Sequence, residues 1–127
     1  MSKTIINTPD APAAIGAYSQ AVQAGNSLYI SGQIPLVPQT GEIISDDFSE
    51  QAKQVFTNLS AIARAANSNL NHAVKLTVYL TDLSDFPTLN DIMAECMQAP
   101  FPARAAVQVV ALPKGAQIEI DAILCVS

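Results

Sequence analysis

The chain has 127 residues, a length that suggests a single domain over 1–127 with enough core to fold without disulfides or a structural metal. Six basic against eleven acidic residues give a net charge of -5, which disfavours nucleic acid as a main partner; no stretch, the Met1 to Asn7 start included, has the apolar run of a signal peptide or membrane span. Only two cysteines point to a reduced, cytoplasmic setting, and a charged fraction of 13% beside 50% hydrophobic residues leaves apolar surface for homo-oligomerisation to cover.

In chain order, a short strand is expected over Lys3 to Asn7, followed by a hairpin. Its arms are Gln20 to Ala24 and Ser27 to Ser31, joined by Gly25-Asn26, where the glycine supplies the positive φ of a two-residue turn. Ser31-Gly32-Gln33 reads as a strand end, with too few glycines for a phosphate-binding fingerprint. From Gln33 to Asp46, Pro35, Pro38 and the turn Gln39-Thr40-Gly41-Glu42 interrupt regular structure, so a structured loop is expected. Phe48, Ala52, Val55, Phe56, Leu59, Ile62, Ala63 and Ala66 recur at the spacing of one helical face, and Asp47 with Glu50 resembles a capping box. Asn67-Ser68-Asn69 marks the stop.

Val74, Leu76, Val78 and Leu80 then alternate with Lys75, Thr77 and Tyr79, the period of a strand with one core face. Pro87, after Asp85 as a cap, opens a short second helix carrying Leu89, Met93 and Met97. Strands at roughly Ala103 to Val110 and Gln117 to Val126, connected through Pro113-Lys114-Gly115, read as a second hairpin. The order β-β-β-α-β-α-β-β suggests an α+β fold: a six-stranded mixed sheet with two helices on one face, the other face left for another copy of the chain.

Few residues carry chemistry. The only histidine, His72, has no second ligand at metal spacing and no nucleophile-elbow sequence near it, so it reads as a turn residue before the strand. Asp10, Asp82, Asp85 and Asp91 read as turn and cap residues, and Cys96 and Cys125 as small apolar fillers. Arg104 is different, because it stands among Ala103, Ala105, Ala106 and Val107 with no acidic neighbour. Its guanidinium needs an anion, either a protein carboxylate or the carboxylate of a ligand held through two parallel hydrogen bonds. Glu119, between Ile118 and Ile120, is either a solvent-facing strand residue or a paired carboxylate. A hairpin loop of even length pairs Gln108 with Glu119 and puts Arg104 on the same face, roughly 13 Å away along the strands, whereas an odd loop separates them.

Over nearly its whole length the sequence resembles the Rid family of enamine/imine deaminases, also called the YjgF or endoribonuclease L-PSP family. The resemblance is carried by Ala11-Pro12-Ala13-Ala14-Ile15-Gly16-Ala17-Tyr18-Ser19-Gln20, Ser31-Gly32-Gln33-Ile34-Pro35, Thr40-Gly41-Glu42, the run Val78 to Asn90, Phe101-Pro102-Ala103-Arg104, and Leu112-Pro113-Lys114 with Ile118-Glu119-Ile120-Asp121-Ala122. It implies a chorismate-mutase-like fold and a homotrimer with clefts between subunits. It also implies hydrolysis of 2-iminobutanoate and 2-iminopropanoate, products of threonine and serine dehydratases, to 2-oxo acids and ammonia, with no cofactor or metal. By the same resemblance Arg104 holds the substrate carboxylate, Glu119 orients the attacking water and Tyr18 lines the cleft; Ser31, Gly32 and Asn90 match further cleft positions, and Ala106 contributes through its backbone. The family commonly has proline where Ala17 stands and a Ser-Cys pair where Ala105 and Ala106 stand, and the region of Met93, Cys96 and Met97 is usually more aromatic. Rival readings are a ribonuclease or translation inhibitor, which the acidic charge balance opposes, and a non-catalytic sensor of 2-oxo acids or amino acids, for which Glu119 has no obvious use.

Overall fold

The computed structural model describes residues 2–126. Six strands, β1 (Thr4–Ile6), β2 (Ala21–Ala24), β3 (Ser27–Gln33), β4 (Ala73–Leu80), β5 (Ala103–Gln108) and β6 (Ile118–Cys125), form one mixed sheet in the order β1-β2-β3-β6-β4-β5. Helices α1 (Phe48–Ala65) and α2 (Phe86–Cys96) complete the α+β architecture. The expected first hairpin is present: Ala24 pairs with Ser27 across Gly25-Asn26, and Gly25 has φ 59°.

Helix α1 follows its apolar spacing. Val55, Leu59 and Ile62 are wholly buried against the sheet, where Leu28, Leu76, Ile120 and Leu124 supply the opposing layer. Asp47 caps the first turn by accepting from the Glu50 N–H at 3.0 Å. Two polar side chains, Gln51 and Asn58, are buried on this helix and bond the main chain of neighbouring segments. Gln51 donates to Ser45 O (2.8 Å) and accepts from Gln117 N (2.9 Å), while Asn58 donates to Leu36 O (3.0 Å). The loop rich in proline is thereby hung on α1 as a fixed wall, with the bridge Leu36 to Ile43 closing it.

Two expectations are corrected by the strand pairing. The last two strands are not a hairpin. β5 runs parallel to β4 at the sheet edge, and β6 lies between β3 and β4, antiparallel to both. Burial explains this choice: Ile118, Ile120, Ala122 and Leu124 are an unbroken apolar series that belongs at the centre, whereas the alanine-rich β5 has too little to bury there. Val74 is the second correction, being 46% exposed rather than in the core. Ala73 and Lys75 face consecutive residues Leu124 and Ile123 of β6, so Val74 is the extra residue of a bulge. Ser31-Gly32-Gln33 forms the end of β3 as expected, with a bulge between Ile30 and Gln33.

Smaller departures occur at helix ends and cysteines. Asp85 precedes α2 but makes no side-chain cap; Asp82 instead accepts from Ser84 N at 2.9 Å and starts a 3-10 turn that leads into the helix. Cys96 and Cys125 are free and exposed, not buried fillers.

Candidate active site

The pairing register decides where the candidate residues stand. Arg104 lies opposite Leu76, and Leu76 opposite Ala122, a row on the helix side of the sheet. Glu119 lies opposite Tyr79, and Tyr79 opposite Val107, three residues from Arg104 along β5. Because side chains alternate along a strand, that odd offset puts Arg104 and Glu119 on opposite faces. Of the two arrangements left open by the sequence, the register therefore gives the one that separates Arg104 from Glu119, across β4 and not across a hairpin.

Two separate clusters result. The first gathers Arg104, Asn90 and Ala106 where α2 overhangs the sheet edge. Phe86, Asn90 and Met93 form one stripe of α2 at i, i+4 and i+7, and all three meet the guanidinium. Arg104 Nη1 donates to Asn90 Oδ1 at 3.0 Å and to Met93 Sδ at 3.6 Å, and Cζ stands 4.9 Å from the centre of the Phe86 ring. A cavity of about 380 Å³ opens on one flank, lined by Asn90, Met93, Phe101 and Pro102. Another of about 430 Å³ is lined by Leu83, Phe86 and Ala106, and Arg104 borders both. Phe86 and Met93 were not singled out as site residues in the sequence, where Met93 reads only as an apolar residue of the second helix. Their common stripe with Asn90 was the available signal.

The second cluster gathers Tyr18, Gly32 and Glu119 around a cavity of about 270 Å³, with Pro12, Ile34 and Pro113 on its walls. Gly32 sits on the β3 bulge directly beneath Glu119, and a Cβ there would stand only 2.9 Å from the carboxylate carbon. A side chain and the carboxylate cannot share that space. The Ser31 hydroxyl donates to Ser19 O at 2.6 Å, and Ser31 N donates to Gln20 O at 3.0 Å, so this residue braces the Tyr18 segment instead of facing the cavity with a free hydroxyl. Buried Gln20 completes the bracing. Its amide accepts from Thr8 N (2.7 Å) and donates to Thr8 O (3.0 Å) and Pro12 O (2.8 Å). The Tyr18 hydroxyl accepts from Ile15 N at 3.3 Å, which orients the ring along the cavity mouth.

The electrostatics of this cluster act on the Glu119 carboxyl. Burial pushes the Glu119 pKa above the ordinary glutamate value, and the like charge of Asp121 adds to the shift. Asp121 is in turn bonded by the Tyr79 hydroxyl at 3.0 Å, and that bond, with desolvation and the two carboxylates, raises the tyrosine pKa.

Residues 8–126 match the family model described as Endoribonuclease L-PSP. The chain belongs to this family, the Rid proteins. Among its relatives, the 2-iminobutanoate/2-iminopropanoate deaminase of Bos taurus is 49% identical over 95% of this chain and 88% of that protein. The crystal structure of RidA from an Antarctic Psychrobacter is 53% identical, covers 97% of this chain and 99% of its own, and superposes with a TM-score of 0.94. Escherichia coli TdcF, solved with bound serine, is 44% identical with a TM-score of 0.90, covering 98% and 99% of the two chains. These full-length likenesses agree with the Rid-type fold expected from the motifs. Among the described residues no helix is long and apolar enough to cross a membrane.

Proposed function

We propose that this Rid protein is a deaminase that hydrolyses 2-iminobutanoate and 2-iminopropanoate to the 2-oxo acids and ammonia, acting as a homotrimer whose clefts lie between subunits. One observation carries the reading: Arg104 and Glu119, the anchor and the base such a reaction needs, stand on opposite faces of one sheet. No small imino acid can touch both within one chain. A closed ring of copies, in which the Arg104 edge of one meets the Glu119 face of the next, joins them and repeats the joint at every interface. The open face suits such burial. Ile5, Tyr29 and Val107 are 51%, 49% and 43% exposed there, and Val22 and Ile123 continue the Ile5 to Tyr29 row.

Within that cleft the chemistry follows from the residues. Arg104 stays charged at any working pH and takes the substrate carboxylate. The protonated imine carbon is electrophilic, and water held by Glu119 attacks it. The carboxylate accepts a proton from that water as the C–O bond forms and returns it to nitrogen; as the C–N bond breaks it takes the remaining hydroxyl proton, so that the C=O bond forms, and passes it to the departing ammonia, which leaves as ammonium. The raised Glu119 pKa suits both halves of this shuttle. Ala106, beside Arg104, offers main chain to the substrate, and Tyr18 closes the other wall. The curated Bos taurus relative bears the name of this activity, and serine bound to TdcF is an α-amino acid of the same size class. We place the protein in the cytoplasm, where its two exposed free cysteines stay reduced, as a repair enzyme for imines released by dehydratases.

The test adds the protein to a threonine dehydratase reaction and follows the lifetime of the imine, with light scattering in parallel. Shortened imine lifetime and a mass three times the 13.4 kDa of one chain are expected. An unchanged lifetime overturns the activity, and a monomer mass at micromolar concentration overturns the composite cleft.

A further inference from the structure

The arrangement around Arg104 says more than that a guanidinium is present. A guanidinium offers a carboxylate two forks: the end edge, Nη1 with Nη2, and the side edge, Nε with Nη2. Nη1 carries two hydrogens, and two acceptors stand on it, Asn90 Oδ1 at 3.0 Å and Met93 Sδ at 3.6 Å. Phe86 covers the plane from below at 4.9 Å. All three come from a single stripe of α2, and Met93 is buried while Arg104 is exposed, so the rigid partner sets the position of the mobile one.

We propose that Asn90 and Met93 are positioning residues that occupy Arg104 Nη1 from α2, so that the substrate carboxylate is received on the Nε–Nη2 edge. This rests on the reading of Arg104 as the carboxylate anchor and reassigns Asn90, which contacts the arginine and acts on the substrate only through it. An unrestrained arginine would present either edge and lose rotamer freedom on binding; one fixed beforehand presents a single edge and has less to lose. Met93 gives the weaker hold, because a thioether is a poor acceptor, and Asn90 the stronger.

Two readouts test this. The first needs no substrate: in arginine side-chain 15N spectra of the whole protein, Arg104 Nη1 is expected to show hindered rotation, which is lost in the variant carrying both Asn90→Ala and Met93→Leu. Free rotation in the parent overturns the proposal, whatever the enzyme does to imines. The second is kinetic. Asn90→Ala should raise KM about tenfold, the scale of a hydrogen bond to a charged group, with kcat within about twofold. Met93→Leu, which keeps the apolar volume and removes the acceptor, should raise KM about threefold, as expected for a weaker bond. In an Arg104→Lys background, where no fork exists to orient, Asn90→Ala should change KM by less than about twofold, the signature of coupling through a shared partner. An Asn90 effect of equal size in both backgrounds shows direct contact with substrate and overturns the positioning role. A parent inactive on imines defeats the functional proposal alone, since the spectra still decide this one.

Discussion

Around Arg104, three side chains from one helix hold one functional group, whereas around Glu119 the supports come from three separated pieces of chain. Phe86, Asn90 and Met93 reach the guanidinium from a single stripe of α2. Glu119 depends on a bulge in β3 for Gly32, on the Gln20 and Ser31 bonds for the Tyr18 segment, on Asp121 of its own strand, and on the Ile34–Leu36 wall hung from α1. The difference follows from the chemistry. An arginine is charged regardless of surroundings and needs only aim, which a helix supplies locally. A carboxylate that must exchange a proton near neutrality needs partial desolvation and a close like charge, which requires packing from several directions.

The largest effects expected come from removing either centre and then recombining them. Glu119→Gln should lose about 100-fold or more in kcat while binding 2-oxobutanoate normally, and Arg104→Ala should lose about 100-fold in kcat/KM through binding. If the two centres act across subunits, unfolding and refolding an equal mixture of the two inactive variants should recover about a quarter of the parental rate, the statistical share of interfaces with both groups intact. No recovery in mixed trimers of confirmed composition would show that each chain uses its own pair. The same glutamine variant has a stability signature. Since the folded pKa of Glu119 is raised, its ionisation costs stability as pH rises through that value, so Glu119→Gln should melt higher than the parent at neutral pH. The gap should close in acid below the ordinary carboxylate range, where glutamate is neutral folded or unfolded; melting curves across pH check this.

An intermediate effect is expected at Gly32. Alanine there must displace the Glu119 carboxylate, so Gly32→Ala should lose about tenfold or more in kcat, as misplacement of a catalytic group does, while the Arg104 cluster keeps its 2-oxobutanoate affinity. Equal loss of affinity and kcat would show that the two centres are not independently built. The smallest effect is a shift of the pH profile. Because burial and then Asp121 raise the Glu119 pKa, the acid limb of kcat should lie above that of an ordinary glutamate. Asp121→Asn removes the like charge yet can still accept from Tyr79, so it should move this limb to lower pH without changing the plateau. An unmoved limb would leave burial as the sole cause.

Local pattern alone was enough to locate both helices, the first hairpin and every strand to within a few residues, because apolar period, proline and glycine positions act over short distances. The motifs that mark the family likewise pointed to Arg104, Glu119 and Tyr18 as candidate site residues. What local pattern could not supply was adjacency among strands. Whether β6 pairs beside β5 or inserts between β3 and β4 depends on which strand buries more apolar surface at the sheet centre, a competition visible only when the whole core is assembled. That competition put Arg104 and Glu119 on opposite faces. It also produced the bulges that expose Val74 and seat Gly32 under the carboxylate, since a bulge is a mismatch between two strands and is written in neither. Residue types and their order determined the candidate site residues and the second helix; tertiary pairing decided that a single chain holds Arg104 and Glu119 apart.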